Sequence, residues 1–151
     1  RDAASPPDHT AGLRFPAAGE KWSVEQERML TAALLRLRRE HDCFRPAEAG
    51  APNVSRHAVS LDSVIVVRLD GARSSGLIIT NLCDTAAVLE PESLLRGGEV
   101  ALKMPEATSL AIAIGEADVP GERLADSGPI HLGPYAFLAS VAPQRSPQSD
   151  R

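Results

Sequence analysis

Two different rhythms of apolar and polar positions run along this chain, and the change between them falls just past residue 45. Before it, Leu30, Ala33, Leu34 and Leu37 recur at i, i+3, i+4 and i+7, the mark of one buried stripe on a helix. Ser23 followed three residues later by Gln26 supplies a capping box, in which each side chain satisfies the other's free backbone N–H. Glu25 and Glu27 fall in the first turn and Arg36, Arg38 and Arg39 in the last. Both sets complement the helix dipole by about 0.3–1 kcal/mol per charge. The pattern predicts a helix over about residues 24–41. Residues 1–22, broken by Pro6, Pro7, Gly12, Pro16 and Gly19, read as a loop.

After the helix, Pro46, Gly50 and Pro52 make a connector, and strand-sized runs take over. VIVVRL (64–69) and GLIITN (76–81) flank the turn-rich DGARSS and read as a hairpin. Further strands are expected at Ala86–Leu89, Val100–Met104, Leu110–Ile114 and Tyr135–Val141, with an edge strand at Val54–Leu61. Short runs about ten residues apart, with no second helical period, point to a mostly β fold. The expectation is an antiparallel, Greek-key-like β-sandwich over 53–141, preceded by one amphipathic α-helix and its connector (23–52). The polar, proline-interrupted residues 142–151 read as a flexible tail.

Composition narrows the function classes. Forty-three per cent of the 151 residues are apolar, enough for a core of one domain. Sixteen basic against twenty acidic side chains give a net charge of −4, so the usual footprint of a nucleic-acid binder is missing. No apolar run approaches the roughly 20 residues of a membrane span, and the first residues lack the apolar core of a signal peptide. Without an initiator Met, the chain reads as a section of a longer or processed protein. Two cysteines, Cys43 and Cys83, make no disulfide framework and fit a reducing, cytoplasmic location.

The chemistry-bearing side chains favour bland readings. Asp70, Asp84, Glu90, Glu92 and Glu99 stand near strand ends and turns, where acids are solvated. His9, His41, His57 and His131 share no ligand spacing with either cysteine, so no metal residue is assigned. Cys43 after His41 reads as a buried thiol beside a helix-terminal histidine. Thirteen serines leave a catalytic triad open by count, but there is no G-x-S-x-G elbow. Asp62-Ser63 and Asp126-Ser127-Gly128 read as turns, and Gly97-Gly98 after Arg96 as a loop rather than a phosphate cradle. Arg36, Arg38, Arg39 and Arg45 form the one local positive concentration, better explained by the helix C-terminus and by ion pairing to Glu40 or to acids of the neighbouring sandwich than by an anion or partner contact. No catalytic and no cofactor-binding residue is assigned.

The run LLRLRREHDCF (34–44) resembles the closing helix of the (β/α)8 barrel in the alpha-amylase family of glycoside hydrolases. Leu37, Arg38, Arg39, Glu40 and His41 match that family's pattern, whereas Asp42 stands where proline is usual. Downstream, DSVIVVRLDG (62–71), GLIITNLCDTAAVLEPE (76–92) and LGPYAFLASV (132–141) resemble, in order, strands of that family's C-terminal sandwich. RDAASPPDHTAGLRF (1–15) is similar to the loop before the last barrel helix in alpha-glucosidase-type members, through Asp2-Ala3 and Ala11-Gly12.

The resemblance, which spans roughly 23–141, implies relatives among alpha-glucosidases, trehalose-forming hydrolases and related transferases. It implies carboxylate catalysis on barrel strands that precede this helix, so no catalytic residue transfers to this chain. The implied role is a non-catalytic C-terminal part that covers and stabilises the barrel of its own polypeptide. The alternative is a stand-alone β-sandwich for binding or protein interaction. Glycan stacking is disfavoured by five aromatics. Phe137 and Tyr135 read as neighbours on one strand face, Phe44 closes the helix, and only Trp22 is left as a platform.

Overall fold

A computed structural model describes residues 12–45, 55–90, 109–118 and 128–143. The one long helix among these residues, α1 (Val24–Glu40), begins where the capping box places it: Ser23 Oγ accepts the Gln26 N–H, and Gln26 Oε1 accepts the Ser23 N–H. Its end is marked by His41, which leaves the helical conformation at φ −128° while its N–H still donates to Leu37 O. One turn of 3-10 helix, Asp42–Phe44, follows at once.

Among the described residues, nine strands make two sheets. In chain order they are β1 (Leu13–Phe15), β2 (Ser55–Leu61), β3 (Val64–Asp70), β4 (Ser74–Asn81), β5 (Ala87–Leu89), β6 (Ser109–Ile114), β7 (Ala117–Asp118), β8 (Ile130–Leu132) and β9 (Phe137–Pro143). The larger sheet has the order β1-β6-β9-β4-β3-β2 and the smaller one β5-β8-β7. All pairings are antiparallel except that of β1 with β6. The fold is thus mostly β, a two-sheet sandwich with one α-helix, as the period-2 runs imply.

Alternation along the strands sorts side chains into two cores. Val64, Val66, Leu77, Ile79, Ala113 and Leu138 point from the large sheet toward Leu89, Ala117, Ile130 and Leu132 of the small one. The neighbouring positions Ile112 and Ala139 project from the opposite face and meet Phe15 and Ala33, with Leu30 and Leu37 packed alongside. The helix therefore lies against the outer face of the large sheet. A bulge between Leu110 and Ile112 keeps both faces apolar: Leu110 serves the inter-sheet core, and Ile112 turns to the helix.

Several expectations change here. Residues 13–15 are not loop but an edge strand, whose backbone bonds come from β6 rather than from any sequence neighbour. Leu34 is not part of the buried stripe. It is 44% exposed, whereas Ala33 is 8% exposed. With about 100° per residue, Leu30, Ala33 and Leu37 share one line along α1, and Leu34 turns past the edge of their contact with the sheet. The hairpin strands reach further than the sequence runs, leaving only 71–73 between β3 and β4. Ala142 and Pro143, read as the start of a tail, instead close β9 through pairing with Ser75 and Ser74, while Val100–Met104 and residues 144–151 lie outside the described residues.

Candidate functional site

Most of the polar chemistry in the described residues gathers at the two ends of the large sheet. At one end the 3-10 turn after α1 sits over the start of β4. Asp42 Oδ1 accepts the Ser74 hydroxyl at 2.7 Å, Asp42 Oδ2 accepts the Arg73 N–H at 2.9 Å, and Ser74 Oγ accepts the Cys43 N–H. Burial pushes the Asp42 carboxyl up, but the Ser74 hydroxyl and the backbone N–H groups of 72–74 outweigh it and hold it below the usual aspartate value. Burial pushes the Cys43 thiol up, and the negative charge of Asp42 adds to the shift. A protonated, 2%-exposed thiol is a packing group rather than a nucleophile.

Beside this junction runs an open groove of about 510 Å³, lined by Arg38, Cys43, Phe44, Arg45, Val67, Leu69 and Ile78. Arg45 turns back onto the helix, donating to Arg38 O at 3.1 Å and to Arg39 O at 2.6 Å. It satisfies carbonyls that the last turn leaves without partners. Of the four clustered arginines, Arg45 thus takes the helix-terminal role expected of the group.

At the other end, the fully buried Asn81 joins three loops. Its Nδ2 donates to Thr85 O and Gly133 O, both at 2.9 Å. Its Oδ1 accepts the Ser63 hydroxyl and the Cys83 N–H. Asp62-Ser63 is a two-residue hairpin turn, with Asp62 at φ 55°, so the turn reading holds.

Among the described residues, the acids and histidines singled out in the sequence do not converge on one site. Asp70 is no solvated strand end: it accepts Arg68 Nε and the Ser75 hydroxyl, both at 2.9 Å. Asp84 and Glu90 are exposed. His41 ends α1, His57 lies on β2, and His131 sits on β8 opposite Asp118. His131, Glu116, Asp118 and Arg14 border a second open groove, of about 530 Å³, in which Arg14 donates to Ala117 O. No group of three or more His, Cys, Asp or Glu able to hold a metal occurs among the described residues. His9, Glu92, Glu99, Gly97-Gly98, Asp126 and Ser127 lie outside them.

The aromatic assignments need correction. Trp22 is no free platform: its ring stacks on Phe15 at 5.7 Å and 6°, and its indole N–H donates to Ala17 O. Burying both rings against the sheet is worth more than leaving them in water. Tyr135 does not share a strand face with Phe137. It lies in the turn before β9, 56% exposed.

These features define a helix-backed β-sandwich whose polar clusters tie elements together. Neither the protein-family models nor the curated proteins compared with the chain gave a match. No described helix is long and apolar enough to cross a membrane.

Proposed function

We propose that the chain is a non-catalytic, stabilising C-terminal part of an alpha-amylase-family glycoside hydrolase acting on alpha-glucosides. Its partner is then the catalytic barrel of the same polypeptide. One observation carries this reading beyond the sequence resemblance. Three large apolar side chains of α1 stand clear of the sheet: Val24, Leu34 and Leu35 are 71%, 44% and 53% exposed and fall within an arc of about 100° that they share with Glu27, Thr31 and Arg38. The sandwich uses the other side of the same helix. Leucines left exposed away from the sheet are apolar area that a second packed body would cover. For a final barrel helix carrying a sandwich, the barrel is that second body. On this reading the arginines and the Asp42 junction hold the helix at a fixed angle to the sheet.

The test is the coding sequence upstream of Arg1 together with the activity of the chain. Upstream and in frame, alternating β and α segments bearing the barrel carboxylates are expected. The purified chain is expected to leave maltose and malto-oligosaccharides intact and to give no sub-millimolar heats with them in calorimetry. A stop codon or an unrelated domain upstream overturns the proposal. So does turnover that a point substitution within this chain abolishes.

A further inference from the structure

We infer that the loop end pinned by Asn81 is a second interaction surface, with Tyr135 at its centre, and that it fits a basic, apolar protein segment. It is separate from the outward face of α1 and does not depend on the barrel reading.

The inference starts from backbone strain. Gly133, Pro134, Tyr135 and Ala136 form a tight turn closed by the Ala136 N–H donating to Gly133 O at 3.2 Å. Tyr135 stands at the second central position with φ 54°. Positive φ there is the mark of a type II turn, which favours glycine or asparagine. A bulky L side chain in that region is strained. The strain would be unremarkable if the ring filled the core, but Tyr135 is 56% exposed. The fold therefore holds a strained tyrosine that it leaves more than half exposed.

The surroundings say what the ring could meet. The Tyr135 N–H donates to Cys83 O at 3.0 Å, which sets the turn against the loop that carries Leu82, itself 57% exposed. Asn81 holds that loop, the Gly133 carbonyl and the Asp62-Ser63 turn in one arrangement. Two apolar side chains are thus presented from a preorganised base, which lowers the entropy lost on binding. The three loops contain two exposed carboxylates, Asp62 and Asp84, and no basic residue. A phenol face and two carboxylates are complementary to arginine or lysine, through cation–π attraction and charge. The occupant is thus a segment pairing an apolar side chain with a basic one.

The test is an NMR titration of the 15N-labelled chain with acetyl-Leu-Arg-Leu-Arg-amide. Saturable shifts are expected at the amides of 82–85 and of Gly133, Tyr135 and Ala136. Tyr135→Gly and Tyr135→Asn are expected to weaken binding about three-fold or more, while keeping or raising the thermal midpoint. Loss of binding with gain of stability is what a ring kept for a partner produces. The inference is overturned if both variants lower the midpoint, since the ring then serves the fold. It is equally overturned if the variants bind as the parent does, if acetyl-Leu-Glu-Leu-Glu-amide binds equally well, or if maltotriose rather than the peptide moves these amides.

Discussion

The carboxylate of Asp42 and the hydroxyl of Ser74, separated by 32 residues in sequence, meet at 2.7 Å. Through that contact the turn ending α1 is fixed to the first residue of β4. The same hydroxyl accepts the Cys43 N–H, so one serine satisfies a donor that burial would otherwise leave alone. Gly71 belongs to this junction as well: a Cβ there would stand 2.7 Å from Asp42 Oδ1.

Asp42→Ala is therefore expected to lower stability by about 1 kcal/mol at neutral pH, a modest value because the carboxyl is only half-buried. Its folded pKa lies below the ordinary 3.8. The charged-state contribution is thus complete above that value and lost as the pH falls through the lower folded one. Urea midpoints of parent and variant, compared from roughly pH 6 to pH 2, should converge at the acid end. A gap that acid leaves unchanged would show that the carboxylate charge has no part in the junction.

How much of this was legible in sequence follows from the range of each interaction. The helix was, because its cap and its stripe are local patterns. So were β3, β4, β6 and β9, whose apolar runs are bounded by turn residues. Strand β1 was not: its three residues lie between Gly12 and Pro16, and only pairing with β6 makes them a strand. Leu34 was misplaced because a stripe read at i, i+3 and i+4 does not say how wide its contact is. The Asp42 and Asn81 clusters need loops from distant parts of the chain to meet, which no local pattern encodes. Tyr135 looked like a strand residue because the turn before β9 gives an aromatic left-handed backbone.

Asn81 should be the most sensitive polar position. Replacing it by alanine strands Thr85 O, Gly133 O, the Cys83 N–H and the Ser63 hydroxyl at once. Water can reach some of them, so the expected loss is about 2–4 kcal/mol rather than the sum of four bonds. Chemical denaturation measures it. A loss within about 0.5 kcal/mol, the range of neutral surface changes, would mean that the three loops hold together without the amide.

The close approach of Phe44 to β4 predicts coupling. A Cβ at Gly76 would stand 2.7 Å from Phe44 Cζ and 3.1 Å from Cys43 Sγ. Gly76→Ala should then cost about 1–3 kcal/mol by overpacking. In a Phe44→Ala background the ring is gone and most of that penalty should disappear. A double-mutant cycle giving additive losses would place the cost of Gly76→Ala elsewhere.

The two sides of α1 should respond oppositely to the same kind of change. On the inner side, Leu30 packs with Phe15, Ala33 and Ile112, so Leu30→Ala is expected to cost about 2 kcal/mol, the low end for a half-buried leucine. On the outer side, Leu34→Gln and Leu35→Gln remove side chains that are 44% and 53% exposed. Together they are expected to change the stability of the chain by no more than about 0.5 kcal/mol. They should also reduce self-association in sedimentation, because exposed leucines are contact surface for any neighbour. On the proposed reading, in which a catalytic barrel precedes this chain, the outer pair acquires the importance that the inner one has here: the thermal midpoint of that longer protein should fall with the double substitution, and its catalytic rate at low temperature should not. A full-length protein indifferent to Leu34 and Leu35 would mean that α1 is not seated between a barrel and this sandwich.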